Sequence, residues 1–241
     1  MRLAICFFGQ PRYLDNKKVH ECYTNLINRY ETDVYVHSWI SGKDCEMSVS
    51  DWAKKHSIKE CADATEKILS LYSPIKYKFD SPFDGRLTTE TRQKASVMRF
   101  YTENNERNLL SHLKSYSESI RLVQNPQEYD FILMTRFDAY LFDFPNLHTL
   151  DTDKFYLTKR YDGGWCDITQ LCGSKFAKAF DVYDNFDLIT DTLVNLDPTF
   201  IAELYKRENY DLSYSRTDLR YIESLSSGIV RSNQDISSIQ V

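Results

Sequence analysis

No apolar run in this 241-residue chain approaches the roughly 20 residues that a membrane-spanning helix needs; the longest, such as LAICFF and FILM, stop far short. A basic lead, an extended apolar core and a small-residue cleavage site are missing from the amino terminus, so the chain is expected to work in a cytoplasm. Positive charge is not in excess either. A formal net charge of -5 and a pI of about 5.6 argue against a dedicated nucleic-acid binder. The six cysteines, at 6, 22, 45, 61, 166 and 172, make no C-x-x-C and no Cys/His cluster of zinc spacing, and are expected to be reduced thiols. G-x-G-x-x-G and G-x-x-x-x-G-K-[ST] are absent, which removes support for dinucleotide binding of the usual type and for P-loop chemistry. Hydrolases built on G-x-S-x-G or H-E-x-x-H lose their support in the same way.

What is present is the composition of a soluble globular protein, 42% hydrophobic and 27% charged, long enough for one α/β domain with a substantial core. Aromatic residues reach 14%, and most of the 17 Tyr and 14 Phe are expected in that core or half-buried around it. Residues 2–8 form a strand candidate ending at Gly9; Asn16 caps a helix with Val19, Cys22, Tyr23, Leu26 and Ile27 on one face; residues 33–39 form a second strand. Strand, helix and strand with short connections open a parallel sheet. A helix over about 62–72 and a strand over 75–79 follow, then a surface loop over 80–92. Residues 93–123 read as one long helix or two in tandem, and residues 129–142 as a strand buried on both faces. Beyond these come a short strand KFYLT, a glycine-punctuated segment DGGWCDITQLCGS, a helix KFAKAFDVYDNF, a helix near 200–205 and a strand-helix pair over 212–230.

Three places carry candidate chemistry. Arg136 and Asp138 leave the carboxyl end of the apolar strand FILM, where open α/β sheets bind ligands. Asp138 reads either as a carboxylate for Mg2+ or Mn2+, with substrate phosphates completing the shell, or as the partner of Arg136 or the cap of a turn. Gly9, Gln10 and Arg12 follow the first strand, where glycine permits close backbone approach and arginine offers a planar fork to phosphate; the plainer reading is a tight turn with a solvated arginine. Asp162 and Asp167 flank Gly163, Gly164 and Trp165, a set suited to a general base and a ring that stacks on a sugar, or to a surface turn with a capping carboxylate. His37 ends the second strand and faces either the same crevice or the core.

In order and spacing, AICFFGQPRY, DVYVHSW, QKASVMRFYTENNERNLL leading into YDFILMTRFDAYLF, and DITQLCGSKFAKAF resemble nucleotide-sugar-dependent glycosyltransferases of the GT-A fold, of the small bacterial and viral kind that build glycans. The resemblance implies a single Rossmann-like domain over residues 1–241, a mostly parallel sheet flanked by helices, with a nucleotide-binding half at 1–145 and an acceptor-side half at 146–241. It implies that Phe8, Gly9, Gln10, Arg12, His37 and Arg136 meet the nucleotide, and that Trp165, Gly173 and Ser174 meet the sugar or acceptor. Asp138 would hold Mn2+ or Mg2+, and Asp167, with Asp162 in reserve, would be the base. The reaction implied is transfer of a hexosyl or pentosyl group from a nucleoside diphosphate sugar to a hydroxyl of a glycan or glycoconjugate, in a bacterial cell or virus-infected host. Arg136 stands where the family has the first Asp of Asp-x-Asp, so either Asp138 alone holds the metal or Arg136 replaces it. A sugar-nucleotide hydrolase, a nucleotidyltransferase and a non-catalytic binding protein of the same fold are the alternatives.

Overall fold

The computed structural model describes residues 1–42, 60–96, 102–141, 144–159, 165–185, 222–224 and 227–229. Strand β1 (Arg2–Phe8) is its centre. Residues 3 to 8 are all buried because β1 is parallel-paired on both edges, to β2 (Glu31–Trp39) and to β4 (Phe131–Arg136). A strand covered on both faces needs no polar alternation, which is why LAICFF and FILM are unbroken apolar runs. Side chains still alternate between the two layers. Leu3, Ile5 and Phe7 pack under helices α1 (Lys17–Arg29) and α2 (Ala64–Tyr72); Ala4, Cys6 and Phe8 pack under the long helix α4 (Glu103–Arg121).

Helix α1 begins where the sequence places it, with the Asn16 side chain accepting from the Val19 N–H at 3.3 Å. Such a cap contributes about 1 kcal/mol. Its buried residues are Val19, His20, Tyr23 and Leu26, and Val19, Tyr23 and Leu26 lie one turn apart on the face that meets the sheet. Strand β3 (Lys76–Asp80) closes the near edge beside β2.

Among the described residues a seven-stranded sheet runs in the order β3-β2-β1-β4-β7-β6-β8, with β6 at Phe155–Lys159, β7 at Trp165–Gly173 and β8 at Ile222–Ser224. The fold is α/β with a mostly parallel sheet, since β7 alone runs against its neighbours. After β4 the chain turns through Phe137 and Asp138 into β5 (Ala139–Leu141), which pairs with β9 (Ser227–Ile229) in a separate two-stranded sheet.

Several expectations change. The single strand over 129–142 is two strands in different sheets, broken at Phe137 and Asp138. The loop over 80–92 gives way at its end to helix α3 (Thr89–Ser96), started by Thr88, whose hydroxyl accepts from the Thr91 N–H at 3.2 Å. Buried Glu106 of α4 ties this region down, accepting from the Leu87 N–H at 2.7 Å and pairing with Arg92 at 3.0 Å. Of the glycine-punctuated segment, residues 162–164 lie outside the described residues, and Trp165–Gly173 form the nine-residue strand β7. Its polar residues hid it, because Thr169 and Gln170 sit in the core with partners: Thr169 Oγ1 lies 3.2 Å from Thr135 Oγ1, and Gln170 Oε1 accepts from the Tyr116 hydroxyl at 2.7 Å. The segment Ser174–Phe180 is 3-10 rather than α-helical. Within 212–230 the described residues are the two strands β8 and β9, with no helix among them; the helix near 200–205 lies outside the described residues.

Candidate active site

The carboxyl edges of β1, β2 and β4 meet in register. Phe8 stands opposite Arg136, and the backbone N–H of Trp39 donates to the Gly9 carbonyl at 3.2 Å. The turn after β4 is clamped from beneath. Phe137 is fully buried and stacked on Phe7 at 5.2 Å, while the Tyr23 hydroxyl donates to the Ala139 carbonyl at 3.2 Å and lies 2.7 Å from Thr135 Oγ1. Asp138 is thereby fixed with 2% of its surface exposed.

Its carboxylate is gripped by two guanidinium groups. Arg136 donates through Nε to Oδ1 at 2.8 Å and through Nη2 to Oδ2 at 2.5 Å, the planar bidentate fork that arginine makes with a carboxylate. Arg12 brings Nη1 to 3.5 Å from the same Oδ2 and is itself held by Gln10 Oε1, which accepts from its Nε at 3.1 Å and Nη2 at 2.5 Å. Burial alone would raise the Asp138 carboxyl; Arg136 and Arg12 overcome this and hold it below the usual carboxylate range. Burial, followed by repulsion from Arg136, lowers the Arg12 guanidinium to about 10 against partial compensation by Asp138. Among the described residues two guanidinium groups meet one carboxylate here.

Gly9 sets the start of this loop. Its φ of +93° is a conformation that side-chain-bearing residues avoid, and both ends of the residue are pinned. The Gly9 carbonyl accepts from Ser38 Oγ at 2.9 Å and from Trp39 N–H, and its N–H donates to Ser115 Oγ at 2.6 Å. Ser115 reaches His37 Nδ1 at 2.7 Å, and His37 Nε2 reaches Asp80 Oδ2 at 3.2 Å. The Asp80 carboxylate accepts, so Nε2 carries the proton, Nδ1 accepts from the Ser115 hydroxyl, and Ser115 accepts from Gly9. The relay runs from the sheet edge to the loop that carries Arg12.

The sequence-predicted residues divide on this frame. Gly9, Gln10, Arg12, Arg136 and Asp138 come together. Phe8 and His37 adjoin them but have no exposed surface: Phe8 packs edge-on to His112 and Tyr116, and His37 acts through Gly9. The backbone of β7 brings Trp165 and Asp167 to this same edge, because Thr169 pairs with Thr135 and the strand begins beyond it. Asp162 lies outside the described residues. Gly173 and Ser174 lie at the other end of β7. Since β7 is antiparallel, Gly173 pairs with Phe131 at the start of β4, and roughly 13 Å of strand separates Phe131 from Thr135. There Ser174 N–H donates to the Asp130 carbonyl at 3.2 Å, and a Cβ on Gly173 would lie 1.7 Å from the Thr152 carbonyl oxygen. Close packing explains that glycine, on the edge opposite Asp138.

The arrangement does not fit a resident divalent cation at Asp138. Both carboxylate oxygens are engaged by Arg136, a second guanidinium borders one of them, and among the described residues no three His, Cys, Asp or Glu side chains gather as a ligand set.

Sequence reasoning missed Ser115 and Asp80. The available signal was the serine spacing of α4: Ser115, Ser117 and Ser119 are fully buried, and Ser119 Oγ donates to the Phe7 carbonyl at 2.9 Å. A helix with serines inside its apolar stripe is placed to bond the backbone it covers.

Burial also lowers the pKa of His37, against Asp80 and Glu118, and that of His20, against the Leu14 carbonyl and Asp15; Lys78 adds to the lowering at His37. Both imidazoles are therefore neutral in the fold and bind protons more readily when unfolded. Stability is intact above the ordinary value of 6.5 and is lost as pH falls below it toward the folded values. The depressed carboxyls of Asp80, Glu118 and Asp138 extend the loss at lower pH. Melting temperature is expected to drop steadily as pH falls from 7 toward 5, as the two histidines gain protons more readily in the unfolded chain; a flat profile over that range would contradict the neutral imidazoles.

No protein-family model matches the chain, and no curated protein matches it. Solved structures that it is similar to include some glycosyltransferases. They include GlyE of Streptococcus pneumoniae TIGR4 (12% identity, 93% of this chain and 44% of GlyE, TM-score 0.36) and mouse xyloside xylosyltransferase 1 (11%, 93% and 84%, 0.38). The galactosyltransferase LgtC, solved with donor and acceptor sugar analogs, is 13% identical over 96% of this chain and 87% of its own, with a TM-score of 0.39. The chain spans less than half the length of GlyE.

Proposed function

We propose that this chain is a glycosyltransferase that moves a sugar from a nucleoside diphosphate sugar to a hydroxyl of a glycan or glycoconjugate. The observation that carries the reading is the pair of guanidinium groups converging on one buried carboxylate, at the carboxyl edge of a parallel sheet and beside a positive-φ glycine loop. In transfer, the bond from the anomeric carbon to the diphosphate oxygen breaks with its electron pair left on the diphosphate, and the acceptor oxygen bonds to that carbon. Charge builds on the leaving group, and fixed cations beside it stabilise the transition state more than the ground state. Arg12 and Arg136 are assigned to that task. The acceptor hydroxyl gives up its proton to a base; Asp167, which β7 carries to this edge, is the assigned group, with Asp162 in reserve. Trp165 is assigned to the sugar.

A thermal-shift screen against UDP, GDP, CDP, dTDP and their sugars tests the reading. A ligand at 100 times its dissociation constant stabilises the folded state by about 2.7 kcal/mol, so one nucleotide series is expected to raise the melting temperature clearly. Absence of a shift from every nucleotide and sugar nucleotide would overturn the proposal. Nucleotide released from the bound donor without an acceptor would identify a hydrolase instead.

A further inference from the structure

We infer that the diphosphate site works without a divalent cation, with Arg12 and Arg136 supplying the positive charge and Asp138 serving as their built-in counter-ion rather than as a metal ligand. The inference deepens the transferase reading and rests on it for the identity of the ligand, but the site itself is argued from charge and geometry.

Asp138 Oδ2 receives Arg136 Nη2 at 2.5 Å and has Arg12 Nη1 at 3.5 Å, so one anionic oxygen occupies the point where two guanidinium groups converge. A phosphate oxygen has the same charge and the same acceptor geometry. The arginines are half-buried: the side chains of Arg136 and Arg12 keep 21% and 17% of their surface while Asp138 keeps 2%, so the solvent-facing part of the cluster belongs to the two cationic side chains. An incoming anion meets cations first. A dication would have to displace Arg136 from both oxygens and then sit beside two like charges.

The floor of the site shows the same design. The Tyr23 hydroxyl, Thr135 and the stacked Phe137 fix the turn that holds Asp138, and Gln10 Oε1 fixes Arg12 from its other side. The guanidinium groups are thus oriented before any ligand arrives, and arginine's planar fork suits the bidentate recognition of phosphate that a single metal ion would otherwise provide. Charge is preorganised, and nothing has to be recruited.

Calorimetric titration of the full chain with inorganic pyrophosphate, in chelator and again in Mn2+, tests this, alongside the nucleotides. Pyrophosphate is expected to bind in chelator, with Arg136→Gln and Arg12→Gln each weakening it roughly tenfold to a hundredfold, the scale of a lost charged hydrogen bond. Equal binding by variants whose melting curves show them folded would overturn the site. No binding by the wild type until Mn2+ is added would overturn it without needing any variant. Pyrophosphate binding in chelator with no nucleotide binding would leave the arginine site standing and reject the transferase reading; nucleotide binding that requires Mn2+ would do the reverse.

Discussion

Asp138→Asn is expected to lower the melting temperature substantially, and added pyrophosphate is expected to restore more of it than the same addition gives the wild type. The substitution keeps the volume and one carbonyl oxygen but removes the carboxylate charge that Arg136 grips and Arg12 borders. Breaking a buried ion pair by removing one partner costs about 3–5 kcal/mol. Both arginines retain some solvent contact, which relieves part of this, so about 3 kcal/mol is the expected loss. For a domain of this size each kcal/mol shifts the midpoint by about 2–4 °C, giving a fall of roughly 6–12 °C by the same relation. The ligand response discriminates between roles. If Asp138 is the counter-ion of two guanidinium groups, an exogenous diphosphate takes over its charge and the variant gains the larger stabilisation. If its purpose is to hold a metal, the same stability is lost, but diphosphate restores none of it and diphosphate binding collapses together with its Mn2+ response. Differential scanning of both proteins with and without pyrophosphate separates the two.

The parts of this molecule legible in its sequence were those where one physical requirement acts alone. Strands β1 and β4 need only apolar side chains on both faces, and helix α1 needs only a cap at Asn16 and a stripe ending in Leu26, so they are visible as runs and periods. Strand β7 was not, because its core positions include Thr169 and Gln170, whose partners Thr135 and Tyr116 come from distant segments. No local window contains that information. The same limit hides where Gly173 and Ser174 lie. They are close in sequence to Asp167, but one antiparallel strand carries them to the far edge of the sheet. Arg136 and Asp138 were legible as a pair of charges after a buried strand; that Arg12, 124 positions earlier by subtraction of residue numbers, reaches the same oxygen is a property of the β1–β4 pairing.

That pairing makes the loop after β1 the second sensitive element, and Ser115→Ala is expected to expose it. The substitution strips Gly9 N–H of its acceptor and His37 Nδ1 of its donor together. Leaving a buried polar group unsatisfied costs about 1–3 kcal/mol; with Gly9 only half-buried, a combined loss of about 2–3 kcal/mol is expected on that basis. Stability alone would not distinguish a positioning residue from an ordinary core serine, and Ser117 supplies the control. It lies on the same helix, is as deeply buried, and accepts from the Tyr183 N–H at 2.9 Å, away from the Gly9 loop. Ser117→Ala should therefore destabilise while leaving nucleotide and pyrophosphate affinity unchanged. Ser115→Ala should destabilise and also weaken both, because Gly9 no longer fixes the launch of Gln10 and Arg12 toward Asp138. A double-mutant cycle with His37→Asn is expected to show strong coupling at Ser115 and none at Ser117, since residues in one hydrogen-bond network depart from additivity by 0.5–3 kcal/mol, in round terms. Equal loss of affinity in the two serine variants would reduce the Gly9–Ser115–His37–Asp80 relay to packing. A loss confined to Ser115→Ala would place the control of Arg12 in a helix that touches no ligand, one strand and one turn removed from the chemistry it serves.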